Sequence, residues 1–77
     1  MTKIAIEPEV IARSKIHPTI IARATAIMES ESQYPQRPTG KGKWLEPVNL
    51  GDMRLGMSCH RLTEDIIAVT NVKRIQG

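Results

Sequence analysis

Apolar residues follow two different periods along this chain, and the change between them divides it. After Pro18, Ile20, Ile21, Ala24, Ile27 and Met28 recur at i, i+1, i+4, i+7 and i+8, with Arg23, Thr25 and Glu29 off the stripe. That spacing lays one apolar stripe along an amphipathic helix. Beyond Lys43 the period falls to two. Met53, Leu55, Met57 and Cys59 alternate with Arg54, Gly56, Ser58 and His60, which predicts a half-buried strand. Residues 66–75 are rich in β-branched types and apolar on both faces over their first half. Such a strand belongs in the middle of a sheet.

Shorter signals complete the pattern. Lys3 to Ile6 alternates and predicts a short strand. Pro8 suits the first position of a helix that runs for about two turns, and His17, standing before Pro18, ends it. Trp44 to Val48 reads as a strand that Pro47 confines to a sheet edge. Gly51-Asp52 and residues 61–65 read as turns. Residues 33–42 hold Pro35, Pro38, Gly40 and Gly42 and predict a loop. The expectation is one domain over 1–77. A short strand and helices fill 1–32, a loop 33–42 and antiparallel strands 43–77. The fold class is α+β, with two N-terminal helices packed on one face of a small antiparallel sheet of three to four strands.

Composition narrows the classes. The 77 residues are 40% hydrophobic and 25% charged, which excludes a multidomain enzyme and argues against a disordered tail. No run is long enough for a membrane-spanning helix, and the first residues do not form a secretory signal. A single cysteine excludes an internal disulfide and points to a reducing, cytoplasmic setting. With no Phe, one Trp and one Tyr, the core must be aliphatic. A homodimer or a stabilising partner is one expectation from so thin a core, and a marginal monomer is the other.

Charge is uneven. Residues 1–35 hold four bases and four acids, whereas residues 36–77 hold seven bases and four acids, so the whole net charge of +3 lies in the second half. Arg37, Lys41 and Lys43 cluster in and beside the loop, with Tyr34 and Trp44 next to them. Arg54, Arg61, Lys73 and Arg74 lie on or near the strands. Cations neutralise phosphates and aromatic faces stack on bases, while a solvated charged face is the plainer reading. Trp44 reads first as a cover for the edge of the core.

Catalytic chemistry finds little support. Cys59 and His60 are adjacent, so on a strand they face opposite ways and cannot share a metal ion or form a nucleophile–base pair. Cys59 reads as a small core hydrophobe with a raised pKa, and His60 as a solvated strand residue. No metal or cofactor is expected. Gly40-Lys41-Gly42-Lys43 lacks the spacing of a phosphate-binding loop.

From Lys41 onward the chain resembles the second half of RelE/ParE-type toxins, in which two helices precede a short antiparallel sheet. Lys41 and Lys43 match lysine positions of that family, residues 52–57 its Arg-Leu strand, and Ile66 to Arg74 its apolar strand. Met53 and Met57 stand where the family favours aromatics, and no Tyr or His follows Arg74. The RelE-like branch implies ribosome-associated mRNA cleavage, with Lys41, Lys43, Arg54 and Arg74 holding phosphate or stabilising charge.

Three functions follow as expectations. The first is a non-enzymatic binding module, of the size and composition of phage or mobile-element accessory proteins that inhibit host complexes. It would contact a protein or nucleoprotein through Tyr34, Arg37, Lys41, Lys43 and Trp44, with Arg54 and Arg74 on the sheet. The second is the RelE-like endoribonuclease, and the third a plain nucleic-acid-binding regulator.

Overall fold

A computed structural model describes residues 2–30, 37–38 and 42–76. The chain runs through β1 (Lys3–Ile6), α1 (Pro8–Ser14), α2 (Pro18–Ser30), β2 (Lys43–Asn49), β3 (Arg54–Arg61) and β4 (Ile66–Gln76). The class is α+β, as the pattern predicts. Most of the expected loop at 33–42 falls outside the described residues.

Both helices start at prolines, where the missing N–H has no intrahelical partner to lose. α1 stops at Lys15, whose left-handed backbone (φ 60°) lets its N–H reach the Ala12 carbonyl. α2 buries Ile21, Ala24 and Met28, and Ile20 and Ile27 pack partly against the core. These are the five residues of the predicted stripe.

The sheet order is β1-β4-β3-β2. β2, β3 and β4 form an antiparallel meander, and β4 is central, as its two-sided apolar composition requires. β2 is an edge strand, which tolerates Pro47. One expectation is corrected. The sheet is mixed rather than antiparallel, because β1 runs parallel to β4, with Ile4 opposite Ile67 and Ile6 opposite Val69. A four-residue alternating strand reads the same in either direction. The long connection from β1 to β4, which holds both helices and two strands, makes parallel pairing accessible, and β1 pairs with Ile66 to Val69 on the side of β4 that the meander leaves open. Its own outer edge is occupied in turn, since the Ile4 N–H donates to Glu29 of α2 at 2.8 Å.

Two irregularities interrupt the β3–β4 register. One lies between Ser58 and Cys59, opposite Thr70, and the other between Arg54 and Leu55, opposite Ile75. Such bulges re-aim side chains. The core joins Val10, Ile21, Ala24 and Met28 of the helices to Ile4, Val48, Leu55, Met57, Cys59, Ile67, Val69 and Val72 of the strands.

Candidate functional site

The register sorts the strand side chains into two faces. Trp44, Glu46 and Val48 of β2 stand opposite Cys59, Met57 and Leu55, and this is the inner face. On the outer face, Lys43 stands opposite His60, Leu45 opposite Ser58, Pro47 opposite Gly56 and Asn49 opposite Arg54. β4 continues these rows with Lys73 opposite Gly56 and Ala68 opposite His60.

Glu46 is the one carboxylate within β2, β3 and β4. It is 3% exposed and fully partnered. Arg37 Nε donates to Oε1 at 2.7 Å, Arg37 Nη2 donates to Oε2, and Trp44 Nε1 donates to Oε1 at 3.1 Å. Arg37 Nη2 also donates to the Met28 carbonyl at 3.2 Å. That carbonyl lies in the last turn of α2, a turn with no basic residue of its own, and a cation there satisfies an orphan acceptor and complements the helix dipole. Beside this group, Arg61 lies over the Trp44 ring at 5.8 Å and donates to the Pro38 carbonyl at 2.9 and 3.2 Å. Arg37 and Arg61 therefore fasten residues 37–38 to β2 and β3. Trp44 is half-buried against the core, as its reading as an edge cover expects.

The burial of Glu46 escaped the sequence reading. A signal for it was present, because Glu46 shares its strand parity with Trp44 and Val48, both apolar.

The remaining cations of the strands are exposed. Lys43, Arg54, Lys73 and Arg74 make no ion pair among the described residues. Lys43, Arg54 and Lys73 belong to the outer face. Arg74, opposite Leu55, alternates to the inner side at the sheet's end. Lys43 and Arg54 sit at opposite ends of β2 and β3, about 20 Å apart at the usual rise per residue. The expected contacts at Tyr34 and Lys41 lie outside the described residues.

Between the cations lies an apolar ridge. Leu45 is 50% exposed and Ile75 is 44% exposed. A Cβ placed on Gly56 would lie 2.9 Å from Ile75 Cδ1 and 3.3 Å from Leu45 Cδ1. The two side chains thus meet over the bare glycine, and the bulge at Ile75 puts one of them there.

Cys59 faces the core and is 1% exposed. Burial pushes its thiol from 9.0 up to about 12, with the Glu46 carboxylate adding to the rise and Arg37 opposing it. A thiol so placed is no nucleophile. His60 points to the other face, and its Nδ1 is buried without a hydrogen-bond partner. Among the described residues no three His, Cys, Asp or Glu side chains gather to hold a metal ion. No protein-family model, curated protein or solved structure matches this chain.

Proposed function

We propose that the protein is a non-enzymatic binding module that docks its outer sheet face on a protein or nucleoprotein partner, and so acts as an inhibitor or adaptor of a larger complex. One observation carries this reading. The exposed charges of β2, β3 and β4 are all positive, because their single carboxylate is buried on Arg37, and they surround the Leu45–Ile75 ridge. A partner would seat the ridge in an apolar hollow and set carboxylates or phosphates against Lys43, Arg54 and Lys73. Packed apolar centres with charged rims are how specific interfaces divide affinity from steering. The reading requires the rows around Leu45, Gly56 and Lys73 to stay open. The burial of Val10, Ile21 and Met28 in one cluster with Leu55, Met57 and Cys59 supports that, and α1 shares a cleft with the outer row only near Ala68 and His60.

The test is a tagged pull-down from bacterial lysate, with and without nuclease, using wild type and a Leu45→Ser/Ile75→Ser variant. A protein complex that survives nuclease and is lost with the double variant upholds the reading. Equal capture by the variant overturns it.

The RelE-like alternative has one observation in its favour: Lys43 and His60 stand opposite each other on the outer face, a cation beside an imidazole. It is tested by expression in growing cells, where arrest with cleaved transcripts supports it. A nucleic-acid-binding regulator is favoured by the purely cationic strands. It is tested by salt dependence, where the logarithm of affinity should fall with a slope of about one per phosphate contact.

A further inference from the structure

A cleft of about 430 Å³ lies apart from the ridge, between the end of β1, α1, the end of β3 and the middle of β4. Its apolar lining includes Ala5, Leu62, Ala68 and Val69, and Leu62 is left 55% exposed. The charged residues that line it are Glu7, Glu9 and Arg13. Arg13 is committed, because Nη2 donates to the Thr70 carbonyl at 2.8 Å and Nη1 faces Glu9 at 3.5 Å. Glu7 is not. It holds the N-cap position of α1, and its backbone carbonyl accepts from Val10 and Ile11, yet its side chain makes no capping bond. The cleft thus sets two carboxylates against one guanidinium already in use, next to strands whose exposed charges are positive.

We propose that this cleft binds a guanidinium or ammonium group carried on a short aliphatic stem. The stem replaces water along Ala5, Ala68 and Leu62, and the charge ends at the uncommitted carboxylate of Glu7. An anion would meet two carboxylates there. A neutral apolar guest would shield Glu7 from water and give it no partner, which costs free energy. The volume falls in the lower part of the range for small-ligand sites and suits a stem the length of an arginine or lysine side chain. His60 and Thr70 complete the lining, so the imidazole ring reports on occupancy.

The experiment is an NMR titration of the full chain with butylguanidinium, with neutral butylurea as the isosteric control. The expected result is saturable movement of the Ala5, His60 and Ala68 resonances with butylguanidinium and none with butylurea. Glu7→Gln should weaken binding roughly two- to fivefold, the contribution of one exposed ion pair, with an unchanged amide fingerprint. Leu62→Ser is the second variant and should weaken binding by removing a wall while leaving the charges. Equal response to butylguanidinium and butylurea, or full affinity in Glu7→Gln, would overturn the proposal. A capped Gly-Arg-Gly peptide distinguishes the sources of the cation. Tighter binding of the peptide assigns the cleft to an arginine of a protein partner, and equal binding to a free small cation. None of these residues forms the Leu45–Ile75 ridge, so failure here and failure of the docking reading are separable.

Discussion

Arg37 grips both carboxylate oxygens of Glu46, nine residues further along the chain. The side chains are only 10% and 3% exposed, so this pair is a tie within the fold rather than two surface charges. It joins the end of α2, through Met28, to the edge strand β2. Glu46 belongs to the inner face, and with it buried there the exposed charges of β2, β3 and β4 are all positive.

Removing one partner of a buried pair leaves an uncompensated charge and costs about 3–5 kcal/mol, whereas an apolar replacement of both is often neutral. Arg37→Met is therefore expected to lower Tm by more than about 10 °C in a domain of this size. Arg37→Met/Glu46→Leu should recover most of that loss. Thermal unfolding followed by circular dichroism checks both, and a double variant less stable than the single one would show that the pair is not the tie described.

Cys59 should be inert in the native state. Its folded pKa is raised, from 9.0 to about 12, so the unfolded chain loses the thiol proton first as pH rises. Its contribution to stability is fully present below about 9 and is lost as pH rises toward 12. Wild type should lose stability relative to Cys59→Val across that window in urea titrations. At pH 8 a disulfide reagent should label the thiol only at the rate of unfolding.

Gly51 adopts φ 96° in the β2–β3 turn, where its N–H donates to Asn49 Oδ1 at 2.9 Å. A Cβ is strained in that conformation. Gly51→Ala is expected to destabilise by about 1 kcal/mol, read as a shift in the urea midpoint with unchanged slope.

Gly56 constrains differently. The nearest atoms to an added Cβ are Ile75 Cδ1 at 2.9 Å, Ile75 Cγ1 at 3.0 Å and Leu45 Cδ1 at 3.3 Å, side-chain atoms of two exposed residues that must shift to admit it. Gly56→Ala should change stability by less than about 1 kcal/mol, while Gly56→Val forces the ridge apart. Partner capture should weaken in that order without loss of fold, and unchanged capture by Gly56→Val would remove the ridge from the binding surface.

Much of this architecture is legible in local pattern. The helical stripe from Ile20 to Met28, the alternation from Met53 to His60, the central place of β4 and the edge place of the Pro47 strand all follow from period and residue type, because each depends on how one segment meets a core. The opposite facing of Cys59 and His60 follows from alternation alone. The direction of β1 does not, since four alternating residues satisfy either pairing.

The amino-acid sequence by itself determined the elements, their order, the aliphatic core and the basic second half. Tertiary structure alone decided which charges are spent and which are free. Arg37 and Arg61 read like Lys43 and Arg54 in a composition, but a guanidinium becomes a tie when folding brings a buried carboxylate or an orphan carbonyl within reach, as Glu46, Met28 and Pro38 do. The Leu45–Ile75 ridge has the same origin. It depends on a register irregularity across two strands, and a bulge is a property of pairing that no single strand encodes.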